Sequence, residues 1–252
     1  MPLHTSTVVR VLRRLPRSRV LAPLRRVGAR LVERPGSDAM LTRVRRSLGS
    51  PATVVLELGA NDGTDSLRLA AAFPAAVVHC FEPDPRPLAI LRSRATDPRI
   101  RVHPYAIGSA NGPITFHQSG GIAPEGERDV PGGWHQSGSI RAPKSHLTEF
   151  PWVTFDTDIT VESVTLDTWT SREGLGTIDL IWADVQGAER DVIEGGAASL
   201  QRTRLLFLEY SNNEQYEGQA TLAELLALLP NWRVLRDYGT DVLLENTALS
   251  GH

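Results

Sequence analysis

The segment Glu57–Gly63, with the sequence ELGANDG, combines residue types that could bind a charged cofactor. Glycines at 59 and 63 allow a tight turn and let a ligand approach the backbone closely. Because glycines stand only at these two positions, the segment is not the G-x-G-x-x-G of dinucleotide-binding proteins. Glu57 and Asp62 would repel a pyrophosphate and attract an ammonium or a sulfonium. The segment therefore favours S-adenosylmethionine over NAD as the ligand.

Three further acids, Glu82, Asp184 and Glu209, each follow a short apolar run that is typical of a buried strand. An acid about 20 residues beyond a glycine-rich turn, as Glu82 is, can accept hydrogen bonds from ribose hydroxyls. Because the carboxyl ends of parallel strands meet at one edge, we expect Glu57 and these three acids to project toward one rim. Asp184 is the first candidate for a general base, and Asp184 and Glu209 are the candidate metal ligands.

Residues 119–151 form a long segment rich in glycine, serine, proline and charge, and they include Trp134 and His135. Segments of this length without secondary structure are usually functional or disordered. We expect this one to fold over the acceptor as a substrate lid that excludes water. His135 is then a second candidate base, and the alternative is that its ring is simply solvated.

The elements that must position these residues alternate between short apolar runs and stretches of helical periodicity. Strands followed by helices of this length predict parallel βαβ units with right-handed crossovers. The predicted strands are 53–58, 76–82, 99–107, 112–118, 158–169 (leading into a short helix), 177–185 and 204–210, the predicted helices are 66–73, 85–95, 187–200 and 221–229, and a closing antiparallel hairpin is predicted at 232–239 and 240–246.

Charge divides the chain into a basic N-terminal arm, residues 1–50, which we expect to be helical, and a main domain, residues 51–252. Residues 1–46 hold twelve arginines against two acids, whereas the whole chain of 252 residues has a formal net charge of −2. Such an arm could contact a membrane surface or a protein, and the alternative is that it packs on the domain with its arginines solvated. Because the remainder is acidic and would repel phosphate backbones, we expect no nucleic-acid partner.

Three features of the chain bear on the cellular compartment in which the protein works. No run reaches about 18 consecutive apolar residues, so no transmembrane helix is predicted. Arginines interrupt the apolar residues near the N-terminus, which argues against a secretory signal. Cys80 is the only cysteine, so it cannot form an internal disulfide, and it lies inside an apolar run. We therefore expect a cytoplasmic protein.

Taken together, several segments resemble the FkbM-type methyltransferase family. The resemblance spans roughly residues 53–219, and it depends on the order and spacing of segments that are weak singly. The matching segments are ELGANDG, FEPDP, HPYAIGS, the SGS at Ser137–Ser139, VTLD ending at Asp167, IDLIWADVQGAE and YEGQ. The resemblance implies an α/β, Rossmann-like class I methyltransferase fold with a mostly parallel seven-stranded sheet and a closing antiparallel hairpin. It also implies S-adenosylmethionine-dependent O-methylation of a hydroxyl on a sugar or other natural product.

Roles for individual residues follow from their places in these motifs. The resemblance places the following residues at the cofactor: Glu57, Gly59, Asn61 and Gly63 at its methionine half, Glu82 at the ribose, Ala106 and Ile107 at the adenine, and Asp184 beside it. The expected substrate contacts are Trp134, Ser137, Ser139 and Glu209. Two positions depart from the family pattern, since Trp182 stands where a lysine is frequent and Gln186 stands where a glutamate is frequent. They leave one acid fewer beside Asp184 for Mg²⁺, which is the second candidate cofactor.

Three other functions are compatible with these residues. The methyl acceptor could be an amine or a carboxylate of a small molecule instead of a hydroxyl of a small molecule or glycoside. A nucleotide-dependent oxidoreductase on the same fold is disfavoured by the absent G-x-G-x-x-G. A non-catalytic module that binds the cofactor and a partner is the third, and the row of acids at the sheet rim argues against it.

Overall fold

The computed structural model describes residues 26–27, 30–31, 37–124 and 133–249. Most of the predicted basic arm lies outside these ranges, and so does its predicted contact with a membrane or a protein. Within the arm, two-residue strands β1 (Arg26–Val27) and β2 (Arg30–Leu31) pair in antiparallel fashion, in a stretch where we expected helix. Helix α1 (Ser37–Leu48) follows.

Helix α1 packs on the main domain through an apolar face. Met40, Leu41, Val44 and Leu48 recur at helical spacing, and all four are buried in the cluster that covers one face of the central sheet. The arginines between them are exposed. The last part of the basic arm is therefore packed against the domain.

The elements after α1 alternate as the sequence predicts. In chain order they are β3 (Val54–Leu58), α2 (Thr64–Ala72), β4 (Val77–Phe81), α3 (Pro85–Arg94), β5 (Ile100–His103), β6 (Ala106–Ile107), β7 (Gly112–Gly121), α4 (His146–Glu149), β8 (Val153–Val164), α5 (Leu166–Arg172), β9 (Ile178–Ala183), α6 (Glu189–Glu194), α7 (Ala197–Gln201), β10 (Thr203–Glu209), α8 (Leu222–Ala227), β11 (Trp232–Asp237) and β12 (Asp241–Asn246). No helix among the described residues is long and apolar enough to cross a membrane.

The central sheet has seven strands in the order β11-β12-β10-β9-β3-β4-β5. Strands β5, β4, β3, β9 and β10 pair in parallel, and β12 runs antiparallel to both of its neighbours. The order reverses at β3, which lies between β4 and β9, and open sheets bind ligands at the carboxyl ends of the strands at such a point. The predicted Rossmann-like sheet with a closing antiparallel hairpin is confirmed.

Both faces of this sheet are buried, and side chains alternate between them along each strand. One face packs against α1, α2 and α3 through a cluster that includes Val55, Leu180 and Leu205. The other face packs against α5, α6, α7 and α8 through a cluster that includes the next residue of each strand, namely Leu56, Ile181 and Leu206. The strand ends that carry the acids are thus held rigidly on two sides.

A second sheet of three strands, in the order β6-β8-β7, is inserted between β5 and α5. This sheet, together with the helices after β9, corrects several predicted boundaries. The predicted strand 99–107 divides at Pro104 into β5 and β6, which belong to different sheets, because proline cannot donate to a strand ladder. Strand β7 continues to Gly121 and β8 begins at Val153, so the expected lid of residues 119–151 starts within a strand and contains α4. The predicted helix 187–200 is two short helices that meet at Gly195 and Gly196.

Candidate active site

The glycine-rich turn after β3 is packed tightly against the ends of the two neighbouring strands. The amides of Gly59 and Ala60 donate to the carbonyl of Phe81 at 3.0 and 2.9 Å, and the amide of Asp184 donates to the carbonyl of Leu58 at 3.0 Å. Gly59 has φ +84°, and a Cβ there would overlap the carbonyl oxygen of Asp184. Only glycine fits at position 59 without strain, because the backbone there is left-handed and the end of β9 lies where a Cβ would be.

Glu82 is fixed beneath this turn. Its Oε2 accepts from the amide of Asn61 at 2.8 Å, and its Oε1 accepts from the amide of Asp84 at 2.7 Å. Burial raises the pKa of Glu82 to about 8, against these hydrogen bonds, which lower it. Asn61 itself has φ +47°, a conformation that asparagine tolerates better than most residues. The end of β4 thus presents a carboxyl group directly under the turn, as the sequence predicts.

Glu57, by contrast, does not reach the rim. It faces the α2 side of the sheet, where its carboxyl accepts a hydrogen bond from the Ser66 hydroxyl. Burial raises its pKa to about 8. Gly63, with φ +81°, lies at the start of α2, and Ala106 and Ile107 are buried in apolar clusters. Of these residues expected at the cofactor, Glu57, Ala106 and Ile107 are buried and Gly63 precedes the first residue of α2.

Residues 133–139 span the mouth of the site and connect its two halves. At one end, Asn61 Nδ2 donates to the carbonyl of His135 at 2.8 Å. At the other end, the Ser139 hydroxyl donates to the carbonyl of Gln186 at 2.7 Å, in the turn that follows β9. Between them the amide of Ser137 donates to Ser119 Oγ of β7 at 3.1 Å. This segment, which we call the strap, lies across both the glycine-rich turn and the rim of acids.

Three buried polar atoms beside the strap have no hydrogen-bond partner within the described residues: Asn61 Oδ1 and both ring nitrogens of His135. His135 is 5% exposed, and burial lowers the pKa of its imidazole, so the ring is neutral at pH 7. Buried polar groups are nearly always paired with protein, water or a ligand, so these three atoms are available to a bound molecule. A ligand with both donor and acceptor groups, such as a nucleoside carrying an amino acid, would satisfy all three atoms.

The rim of acids is organised around Gln186. Its Nε2 lies 2.5 Å from Asp184 Oδ1 and 2.7 Å from Glu209 Oε2, so one amide group joins the ends of β9 and β10. The Tyr216 hydroxyl lies 3.0 Å from Gln186 Oε1 and 2.8 Å from the carbonyl of Ser137 in the strap. Burial raises the pKa of Tyr216 well above its usual value, so the hydroxyl remains a donor. The structure thus brings Asp184, Glu209 and Ser137 together.

The remaining predicted residues lie around this rim. Trp134 donates from Nε1 to Ser137 Oγ at 2.9 Å and packs edge-on against Trp152, with ring centroids 4.7 Å apart. Glu189, at the start of α6, is buried, and this burial raises its pKa to about 8. Trp182 stacks on Phe207 in the sheet core, with ring centroids 3.9 Å apart, and so takes no part in the site.

The donor set does not fit a metal ion. In the parts of the chain that the structure describes, no group of three or more histidine, cysteine, aspartate or glutamate side chains could hold one. The position between Asp184 and Glu209 is taken by the amide nitrogen of Gln186, whose hydrogens face both carboxylates. We therefore derive no step through Mg²⁺.

Tyr216 and the direct role of Gln186 were missed by the sequence reasoning. Tyr216 follows no strand, so the search for acids at strand ends passes over it. The YEGQ segment that contains it was one of the matching motifs, and that resemblance was the available signal.

A family model and two curated relatives agree on one family. Residues 57–241 match the family described as the methyltransferase FkbM domain. The chain is 44% identical over 224 residues to the 2-O-methyltransferase NoeI of Sinorhizobium fredii, covering 86% of this chain and 90% of that protein. It is 27% identical over 222 residues to the 31-O-demethyl-FK506 methyltransferase FkbM of Streptomyces tacrolimicus, covering 79% and 76%. Among solved structures, S-adenosylmethionine-bound CalS10, an amino pentose methyltransferase from Micromonospora echinaspora, aligns at a TM-score of 0.44 and 13% identity, over 85% of this chain and 91% of that one.

Proposed function

The chain belongs to the FkbM methyltransferase family and is an S-adenosylmethionine-dependent methyltransferase, and we propose that it methylates a hydroxyl group of a sugar or another natural product. The observation that carries the acceptor class is the 44% identity to a 2-O-methyltransferase over nearly the whole of both chains. A family of methyltransferases leaves no support for the oxidoreductase or for the non-catalytic module.

The residues of the glycine-rich turn and the end of β4 fit the cofactor. Gly59 and Gly63 supply the left-handed backbone, with φ +84° and +81°, that shapes the turn, and Glu82 offers a carboxyl group to ribose hydroxyls. Asn61 Oδ1 and the ring of His135 are the buried polar atoms that need a partner. When bound, S-adenosylmethionine supplies a methyl group on a sulfonium, and the protein supplies alignment, which can lower such a barrier by about 7–11 kcal/mol.

A sugar hydroxyl must lose its proton to attack, and we assign that proton to His135. The imidazole is neutral, and neither nitrogen has a partner among the described residues, so the ring has a lone pair to offer at the nitrogen that the cofactor does not engage. Asp184 already accepts a hydrogen bond from Gln186 at 2.5 Å, so one of its oxygens is engaged within the protein. We assign Asp184 to orienting the acceptor hydroxyl, beside Glu209. The strap over both groups would exclude water from the reaction.

The first experiment is a calorimetric titration of the purified protein with S-adenosylmethionine, S-adenosylhomocysteine and NAD. We expect both adenosyl compounds to bind and NAD not to bind. An acceptor screen with glycosides, amines and carboxylates then separates O-methylation from the other two acceptor classes. Methylation of amines alone, or binding of neither adenosyl compound, would contradict the proposal.

The catalytic assignment is tested with His135→Asn and a matched control, His117→Asn. His117 lies on β7 with its ring paired to Asp158 at 2.6 Å on the surface, so its loss should leave turnover unchanged. We expect His135→Asn to lower kcat by about 10²- to 10⁴-fold. In the wild type, kcat/KM should have a low-pH limb below pH 6.5, because burial lowers the pKa of His135, and this limb should vanish in His135→Asn. Wild-type turnover in Asp184→Asn would remove Asp184 from the site.

The remaining proposals concern the binding partners, the cellular compartment and the domain organisation of the protein. We propose a small-molecule or glycoside acceptor and no nucleic acid, and we propose that the enzyme works in the cytoplasm, which its single buried cysteine suits. The division into an arm, residues 1–50, and a methyltransferase domain, residues 51–252, with the strap as part of the substrate lid, is likewise our proposal. The assignment of the lid can be tested by dialysing the protein against S-adenosylhomocysteine, with and without a glycoside, and then comparing limited proteolysis of the lid.

A further inference from the structure

Two carboxylates and one amide form a closed arrangement at the ends of β9 and β10. These strands are neighbours in parallel register, with Leu208 opposite Ala183, so Asp184 and Glu209 emerge side by side. Gln186 Nε2 lies 2.5 Å from one carboxylate and 2.7 Å from the other. The ends of β9 and β10 are therefore joined through one neutral side chain.

The orientation of this amide is fixed by its neighbours. The amide nitrogen of Gln186 faces both carboxyl groups, and an ionised carboxylate can only accept hydrogen bonds, which is what this orientation supplies. The oxygen then faces the Tyr216 hydroxyl, which can donate to it at 3.0 Å. Reversing the amide would aim its oxygen at two anions. Each of the two N–H groups of Gln186 thus serves one carboxylate.

The backbone at this turn holds the amide in place. Gln186 has φ +51°, in the left-handed region, and its carbonyl accepts from the Ser139 hydroxyl of the strap at 2.7 Å. Gly187 follows with φ +92°, and a Cβ there would lie 2.8 Å from Tyr216 Cδ2. The strap and Tyr216 therefore both determine where the Gln186 side chain lies, and a disfavoured backbone is maintained there by its surroundings.

We propose that Gln186 is a positioning residue that holds Asp184 and Glu209 in place through its two N–H groups, and that these three side chains do not fit a divalent metal, so that this methyltransferase works without one. The inference rests on the proposed function and specifies how its acceptor site is built. In Gln186→Glu an oxygen replaces the N–H donors, and three carboxylates then meet at one point. Such a cluster of oxygen ligands is one that Mg²⁺ prefers.

The test compares the wild type with Gln186→Glu and with a matched control, Gln215→Glu. Gln215 Nε2 donates to Glu149 Oε2 at 2.8 Å on the surface, so the control makes the same change beside a carboxylate outside the site. Turnover is measured in EDTA and in MgCl₂, and Mg²⁺ alone is titrated calorimetrically onto each protein. S-adenosylmethionine binding and circular dichroism check that each variant is folded.

We expect wild-type and Gln215→Glu turnover to be the same in EDTA and in Mg²⁺, with no Mg²⁺ binding. In EDTA, Gln186→Glu should lose about 10- to 100-fold in kcat with an unchanged KM for S-adenosylmethionine, and Mg²⁺ should bind to it and restore its turnover. Wild-type turnover that EDTA abolishes and Mg²⁺ restores would overturn the inference. This measurement uses the wild type alone, so it does not depend on any variant folding. Unchanged kcat of Gln186→Glu in EDTA, without Mg²⁺ binding, would also overturn it. The Mg²⁺ titration needs no acceptor, so it decides the inference even where no methyl transfer is detected.

Discussion

The close approach of Gly59 to β9 predicts a large loss of stability in Gly59→Ala. An alanine there would adopt φ +84°, which costs about 1–2 kcal/mol for a residue with a Cβ. Its Cβ would also overlap the carbonyl oxygen of Asp184, and overpacking of this kind typically costs about 1–3 kcal/mol more. The expected loss in unfolding free energy is therefore about 2–5 kcal/mol, a large part of the stability of an ordinary domain.

Gly174→Ala is the matched control, because it carries only the first of these two costs. Gly174 has φ +62° just after α5, and a Cβ there would meet nothing within 4 Å. Urea denaturation followed by circular dichroism should show a loss of about 1–2 kcal/mol for this variant. Calorimetry should show weaker S-adenosylmethionine binding for Gly59→Ala only, because only that overlap displaces the turn from Asp184. Equal losses of stability in the two variants would refute the argument from close approach.

Two further predictions concern buried charge. Because burial raises the native pKa of Glu57 from 4.5 to about 8, the native state keeps a proton that the unfolded chain loses, and stability falls as pH rises through that interval. Glu57→Gln stays neutral, so urea titrations should show it gaining on the wild type between pH 5 and pH 8, and a constant difference would contradict this. Arg141→Ala should lower the free energy of unfolding by about 2 kcal/mol, because it leaves buried Asp191 without its bidentate partner. The loss is smaller than for a fully buried pair because the Arg141 side chain is 30% exposed. Lys144→Ala, whose ion pair with Glu214 is exposed, should be nearly neutral, and similar losses in both would contradict the role of burial.

The sheet could be predicted from the sequence because most of its parallel strands are short apolar runs, and an acid marks the end of three of them. Glu82, Asp184 and Glu209 follow such runs, and the structure places each at a strand end. The face that each residue takes was harder to predict. A strand buried on both sides is apolar at every position, so VVLEL does not reveal that Glu57 shares a face with Cys80 instead of the rim.

The strap shows a different limit. Its contacts join residues far apart in the chain, such as Asn61 with His135 and Ser139 with Gln186, and local periodicity carries no information about such pairs. The sequence marked His135 by its residue type alone, and only the fold shows that its ring is buried without a partner.

The chemical role of Gln186 could not be predicted from the sequence either. In the sequence it counts as one acid fewer at the rim, which weakens a metal site and suggests nothing in its place. In the structure the amide supplies two N–H donors at the point where two carboxylates converge, and a hydroxyl faces its oxygen. Gln186 thus carries no charge of its own but donates one hydrogen bond to Asp184 and one to Glu209. The departure from the family pattern and the absence of a metal-binding group among the described residues therefore have one physical cause.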